Sequence, residues 1–333
     1  AGKFYRTFWE ASSRLSEAEK NIGLSLVFQG KTERAREIFE LLKKDNELIS
    51  VEFGEQYKKK NENEYTIKNQ AEDYVRLIKE LKTRSIKRIV HLSSLTEKAV
   101  LPRIDKLETS QQVGIYSLFY LIKALTINIV KEKIDIVLLS EFAENVNGKE
   151  KEIRPENATL VGFGKAPILE DSNWQCRSID IDEVTKTENI VAEINSPYLT
   201  YKSALRKNLR YIEILKHYNP EVAEKNGLTI KVGGNYLISG GAGGVGLEVA
   251  TRLAKTNNIN LILLNRTKIP ERESWSELLL SQNPLDQKFK KIINKIQEIE
   301  SLGSRAYLFN VDITDRDDAQ KTWKKIKKEF SHI

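Results

Sequence analysis

The glycines between residues 240 and 246 carry the clearest chemical signal in this sequence. Gly241-x-Gly243-x-x-Gly246 has the spacing of a dinucleotide-binding turn, and Ser239-Gly240-x-x-x-Gly244-x-Gly246 overlays a second version of it. Such a run lets the backbone turn tightly from strand to helix. It also lets the backbone approach a pyrophosphate with no Cβ atom in the way. The helix that follows presents free N–H groups and the positive end of its dipole, with Val245 in the same turn between Gly244 and Gly246. The predicted ligand is therefore a dinucleotide phosphate group.

The next strand end selects among dinucleotides. A site for NAD places Asp or Glu there, to accept from the ribose 2′-hydroxyl. This sequence has Asn265-Arg266-Thr267, which sets a guanidinium and a hydroxyl where a 2′-phosphate would lie and favours NADPH. Asp312, followed by Ile313, comes just after a third apolar run and is placed to contact the adenine.

Hydride transfer to a carbonyl needs more than a cofactor. Short-chain dehydrogenases use a tyrosine as acid, a lysine that lowers its pKa and a serine that orients the carbonyl, all well beyond the glycine loop. The one Tyr-x-x-x-Lys match, Tyr198 to Lys202, precedes the loop and is of a kind that composition produces by chance. No catalytic residue is assigned. One cysteine, Cys176, and three scattered histidines, His91, His217 and His332, predict neither a disulfide framework nor a metal site.

Three strand–helix units must position the glycine loop. Strand 236–239 leads into the loop and a helix over 247–255. Strand 261–264 ends at Asn265, an amphipathic helix follows through Phe289, Ile292, Ile296 and Ile299, and strand 306–311 runs into Asp312. The first half alternates in the same way, with strands over 48–53, 65–67, 88–92, 134–139 and 175–181 and helices around Tyr74 to Leu81 and Tyr116 to Ile122. Continuous apolar strands between helices argue for a parallel sheet covered on both faces. No glycine-rich loop follows these early strands, and the Gly162-Phe163-Gly164 turn is too short to be one. Leu205, Leu209, Ile212 and Leu215 predict a helix ended by Asn219-Pro220, within a connector over 184–230.

Length and composition agree with two domains. The chain has 333 residues, 40% hydrophobic and 30% charged, and carries a net charge of +7. Lysines interleave with glutamates, the pattern of solvated helix faces, so nucleic acid is not expected as a partner. The most apolar window, 113–130, contains Lys123 and Asn128 and predicts a buried helix; no membrane partner is expected. A cytoplasmic setting follows from the single cysteine, and the lack of any methionine predicts an interior piece of a longer polypeptide.

These residues resemble the ketoreductase domains of modular polyketide synthases, especially those of acyltransferase-less (trans-acyltransferase) assembly lines, within the short-chain dehydrogenase superfamily. Residues 155–165, Pro-Glu-Asn-Ala-Thr-Leu-Val-Gly-Phe-Gly-Lys, and 176–180, Cys-Arg-Ser-Ile-Asp, resemble the family's structural subdomain. Tyr5 and Trp9 resemble its opening strand, and residues 233–267 the start of its catalytic subdomain. The fold class implied is α/β, with two Rossmann-like doubly wound parallel sheets. The first is a truncated pseudo-Rossmann subdomain over 1–230 that binds no cofactor. The second, over 231–333, is an incomplete short-chain dehydrogenase fold.

The resemblance further implies that the opening strand pairs across to the catalytic part. It implies an acyl carrier protein with a phosphopantetheine-bound β-ketoacyl chain as partner, alongside the remaining ketoreductase residues and other synthase domains. The chain is expected to be part of an NADPH-dependent β-ketoacyl reductase, with the Ser, Tyr and Lys of catalysis outside it. Gly240, Gly241, Gly243, Gly244 and Gly246 would shape the pyrophosphate site, and Arg266 and Thr267 would meet the 2′-phosphate. A second reading is a non-catalytic scaffold, or one half of a split enzyme, with the exposed edge of the third strand covered by a complementary chain.

Overall fold

Among the described residues most strands are apolar and alternate with amphipathic helices, and the strands assemble into two separate sheets. The structure, a computed structural model, describes residues 4–13, 23–95, 104–219, 229–330 and 332–333. It divides into two units, residues 1–222 and 223–333.

Among its described residues the first unit holds ten strands: β1 (Phe4–Ala11), β2 (Ser25–Phe28), β3 (Leu48–Phe53), β4 (Lys58–Asn61), β5 (Glu64–Ile67), β6 (Arg88–His91), β7 (Ile134–Glu141), β8 (Trp174–Ile181), β9 (Lys202–Arg206) and β10 (Leu209–Tyr218). Its helices are α1 (Glu33–Asp45), α2 (Ala71–Leu81), α3 (Ile104–Gln111), α4 (Ser117–Ile127), the short α5 (Ala158–Phe163) and α6 (Pro167–Glu170), and α7 (Thr187–Ile194). The sheet order is β1-β10-β9-β8-β7-β6-β2-β3-β5-β4. The seven strands from β9 to β5 run parallel, and antiparallel pairings of β4 with β5, β10 with β9 and β1 with β10 finish the edges. The sheet is thus mixed, with a parallel centre.

Alternation along each strand sends neighbours to opposite faces. Leu26, Phe28, Ile49 and Ile89 pack with Tyr74 and Leu77 of α2 and Leu118 and Leu121 of α4. Val27, Val90, Val137 and Ile179 pack on the other face with Ile38 and Phe39 of α1 and Ile190 and Ile194 of α7. Charges inside this sheet are paired. Asp135 accepts from Arg88 at 2.9 Å and Arg177 at 2.8 Å, while Arg206 reaches Asp180 at 2.5 Å and Glu150 at 3.0 Å. Removing one partner of such a pair strands a buried charge, at a cost of about 3–5 kcal/mol.

Three expectations need correction. The stripe of Leu205, Leu209, Ile212 and Leu215 lies on the β9–β10 hairpin, not on a helix. Lys207 and Asn208 both take positive φ, +51° and +69°, as a two-residue hairpin turn requires, and β10 is rich in β-branched and aromatic residues. The apolar spacing coincided with a helical period; Pro220 lies outside the described residues. The opening strand exists as β1, but it pairs antiparallel with β10 of its own unit, from Phe4 opposite Tyr218 to Ala11 opposite Tyr211. Gly162 is helical in α5, and Gly164 caps it where a Cβ would meet Leu138 Cδ1 at 2.6 Å. The structure also adds β2 and α1 ahead of residue 48, where sequence reading placed nothing.

The second unit holds β11 (Asn235–Ser239), α8 (Gly244–Ala254), β12 (Asn260–Asn265), α9 (Trp275–Leu280), α10 (Gln287–Ser301), β13 (Arg305–Asn310) and α11 (Arg316–Glu329). The three strands are parallel in the order β11-β12-β13. Leu247 and Ala250 of α8 and Ile293 and Ile296 of α10 cover Leu261 and Leu263 on one face. Ile326 of α11 and Phe330 cover Ile262 and Leu264 on the other. α8 and α10, which connect the three strands, share one face, as successive right-handed crossovers do when the strand order advances one way.

Candidate functional site

The turn from β11 to α8 is shaped by glycines at the positions that tolerate nothing larger. Gly240 has φ +68°, in the left-handed region. A Cβ on Gly241 would meet Leu263 Cδ2 at 2.8 Å and Ile238 O at 2.9 Å, and one on Gly246 would lie 2.8 Å from Gly241 Cα and collide with Gly240 O. The loop is pinned from both sides. Gly241 N donates to Leu264 O at 3.2 Å, Gly243 N to Gly240 O at 2.9 Å, and Ala242 N to Asn265 Oδ1 at 2.6 Å.

The helix begins at Gly244, three residues earlier than the sequence suggested, because glycines in its first turn hide the helical pattern. Its N-cap is Gly243, which has no side chain to satisfy the first-turn amides, and no acidic residue stands in that turn. The N–H groups of Gly244, Val245 and Gly246 therefore lack the partners that a helix interior supplies. A Cβ on Gly244 would meet nothing within 4 Å, and Val245 is exposed. Space, unsatisfied donors and a positive dipole end coincide here, which is what a phosphate group needs.

The strand-end residues divide in role. Asn265 does not reach outward: its side-chain carbonyl holds the glycine loop through Ala242 N. Arg266 and Thr267 are exposed, and among the described residues no hydrogen bond or ion pair holds the Arg266 guanidinium. Asp312 Oδ1 accepts from the hydroxyl and amide of Thr314 at 2.7 Å and 2.9 Å. Those bonds, with the charge of Arg266, hold its carboxyl below the usual range. Ile313 is half-exposed beside it. The loop, Asn265, Arg266, Thr267 and Asp312 all stand at the C-terminal ends of adjacent parallel strands, where open α/β sheets bind ligands.

Asn310 was missed. It closes β13 directly opposite Asn265 in the strand register, and its amide donates to Asn265 O at 3.1 Å and Arg266 O at 2.8 Å. The signal available was two asparagines, each ending an apolar run. A cleft of about 570 Å³ lies alongside, lined by Asn265, Thr267, Arg272 and Asn310. The Tyr198–Lys202 match is structural: Lys202 Nζ is held by Glu144 at 2.6 Å and Glu213 at 3.2 Å. Cys176 is buried, and burial raises its thiol pKa. Among the described residues no cluster of His, Cys, Asp or Glu could hold a metal, and no helix is long and apolar enough to cross a membrane.

Comparison with known proteins places this geometry. Residues 23–196 match the family described as Beta-ketoacyl synthase-like, N-terminal, and residues 234–333 match the KR domain. Polyketide synthase PksN of Bacillus subtilis is 22% identical over 69% of this chain and 4% of its own length, and PksL of the same organism 32% identical over 29% and 2%. The 6-methylsalicylic acid synthase of Penicillium patulum is 34% identical over 26% of this chain and 5% of its own. The chain thus spans a few per cent of the length of these relatives. Among solved structures, an N-terminal ketoreductase from the macrolactin assembly line superposes with TM-score 0.75 at 22% identity, covering 98% of this chain and 63% of that one. A keto acid-selecting NRPS module containing a ketoreductase gives TM-score 0.81 at 22% identity, over 98% of this chain and 27% of that one. At these identities the superpositions speak for the fold.

Proposed function

This chain belongs to the ketoreductase domains of polyketide synthases, and from that premise we propose that it supplies the NADPH-binding front of a β-ketoacyl reductase. In this reading residues 1–230 form a structural subdomain that binds no cofactor, and 231–333 begin the catalytic subdomain. The substrate is a β-ketoacyl thioester on the phosphopantetheine of an acyl carrier protein, and the setting is a cytoplasmic multienzyme of the trans-acyltransferase type. The Ser, Tyr and Lys of proton transfer come from residues other than these.

One observation carries the reading: a glycine-capped first helical turn with open donors, beside an arginine whose guanidinium has no hydrogen bond or ion pair among the described residues. The fit to a dinucleotide is physical. The amides of Gly244, Val245 and Gly246 would bind the pyrophosphate, with Gly240, Gly241 and Gly243 keeping the backbone clear. Arg266, with the Thr267 hydroxyl, would pair the 2′-phosphate, a charge-assisted contact that NADH cannot make. Asp312, held ionised by Thr314 and Arg266, would accept from the adenine amino group, with Ile313 against the ring. Bound there, NADPH supplies the hydride that reduces the β-carbonyl.

The test is binding of 2′,5′-ADP and 5′-AMP to the synthase polypeptide that carries these residues, by titration calorimetry. We expect 2′,5′-ADP to bind more tightly, and Arg266→Ala to cut that preference roughly 10- to 100-fold, the worth of a charged hydrogen bond. Equal affinity for the two nucleotides, or an unmoved preference in R266A, would overturn the cofactor assignment.

A further inference from the structure

Beside Arg266, the site contains a residue whose side chain fixes the rim on which Arg266 stands. Asn310 ends β13, and its Nδ2 donates to two consecutive carbonyls, Asn265 O at 3.1 Å and Arg266 O at 2.8 Å. The ladder amide of Val311 also donates to Asn265 O, at 2.9 Å. Residue 265 in turn holds the glycine loop through Ala242 N at 2.6 Å. A strand end normally frays where its ladder stops, and Arg266 is one residue past the end of β12. The Asn310 amide extends the order of the sheet by one peptide, to the residue that carries the exposed guanidinium. Both partners are acceptors, so the position needs a donor: aspartate, of the same shape, would set a carboxylate against two carbonyls.

We infer that Asn310 is a positioning residue for cofactor selection: by clamping the Asn265 and Arg266 carbonyls it presets the Arg266 guanidinium for the 2′-phosphate and so sharpens the choice of NADPH over NADH. This rests on the proposed role of Arg266. It acts by preorganisation: an arginine on a frayed strand end must be ordered when the ligand arrives, and that ordering lowers affinity. The effect is confined to ligands bearing the 2′-phosphate, because the pyrophosphate is held at the α8 amides, whose loop is anchored by the Asn265 side chain rather than by Asn310 itself.

The experiment compares 2′,5′-ADP and 5′-AMP binding to the full synthase polypeptide and to its Asn310→Ala, Asn310→Gln and Arg266→Ala variants, with melting temperatures recorded for each. We expect N310A to lower the affinity for 2′,5′-ADP about three- to tenfold, the worth of a hydrogen bond or two, while 5′-AMP affinity moves less than twofold. N310Q, which keeps a donor amide, restores part of the loss. A purely structural asparagine would weaken both nucleotides together or lower the melting temperature without changing their ratio, and either result overturns the proposal. So does an unchanged ratio in N310A. The two readings separate: if R266A loses the preference and N310A keeps it, only the positioning role falls, whereas an unaltered protein with no preference removes both.

Discussion

Each unit of the chain contains a strand, a turn, a helix and a parallel strand on one plan, β2–α1–β3 in the first and β11–α8–β12 in the second. The two turns differ in what greets an incoming anion. In the first, the Thr32 hydroxyl accepts from Ala35 N at 3.1 Å, Glu33 places a carboxylate in the opening turn, and Gly30 is packed so tightly that a Cβ would lie 2.6 Å from both Ala35 Cβ and Leu92 O. That helix carries its own cap and its own negative charge. In the second, Gly243 caps nothing, no acid stands in the first turn, and Gly244 faces open space. A glycine at the turn therefore does not by itself open a helix terminus to an anion. Helix amides left without an internal partner do.

The comparison breaks most completely at Gly246. Gly246→Val would drive side-chain carbons into Gly241 Cα and Gly240 O, so the loop must open or the helix must shift. We expect binding of 2′,5′-ADP to fall by more than about 100-fold, the result of misplacing several phosphate donors at once. The melting transition of the first unit should stay in place. Calorimetric titration with a thermal scan checks both, and retained binding would show that the glycine loop is not the phosphate site.

The next effect sets the two interiors apart. His91, at the end of β6, is fully buried between Ser117 Oγ at 3.0 Å and Ser93 Oγ at 3.2 Å, and desolvation pushes its pKa down to about 4. The folded state keeps this ring neutral, while the unfolded chain protonates it near pH 6.5. The unfolded state thus binds the extra proton, and stability is full above about pH 6.5 and lost as the pH falls toward 4. Across that window the loss is about 3 kcal/mol. A melting series between pH 7.5 and 5.5, before most carboxylates titrate, should show the first unit's transition dropping; a flat transition would contradict a neutral buried His91.

Much of this was legible in the sequence for a physical reason: strands buried on both faces of a parallel sheet are largely apolar, and 48–53, 88–91 and 134–139 are broken only by Ser50, Glu52, Arg88, His91 and Asp135. The glycine loop was legible because close backbone approach excludes side chains, as Gly241 and Gly246 show. The β9–β10 hairpin was not, because a half-exposed strand carries a weaker pattern and its Lys207-Asn208 turn lacks a glycine to announce it. α1 carries a legible pattern as well, since Ala35, Ile38, Phe39 and Leu42 recur at helical spacing behind the Thr32 cap. Asn265 and Asn310 could not be sorted into ligand and scaffold from type alone. Only the register that sets them opposite one another reveals a clamp.

A smaller effect follows from the closed turn. Thr32→Ala removes the cap of α1 and should cost about 1 kcal/mol of stability in the first unit. It should gain no nucleotide binding, because Glu33 and the packed Gly30 still oppose an anion. Denaturant titration measures the first quantity and 5′-AMP titration the second. Nucleotide binding gained at the first unit in T32A would show that the cap alone had kept the site shut.

The sharpest exchange gives the open turn the feature of the closed one. Gly244→Asp adds a carboxylate to the first turn of α8, as Glu33 does in α1, at a position where a Cβ meets nothing within 4 Å. The charge complements the helix dipole, and replacing glycine restricts the unfolded chain, so stability should rise by a few tenths of a kcal/mol to about 1 kcal/mol. The same carboxylate would occupy the field proposed for the pyrophosphate. Affinity for both 2′,5′-ADP and 5′-AMP should fall together, with the ratio between them kept, because Arg266 is untouched. A more stable protein that binds nucleotide less well is the signature of a helix terminus left unsatisfied for a ligand. If G244D gained stability and bound both nucleotides as before, the phosphates would have to be held by something other than the amides of α8.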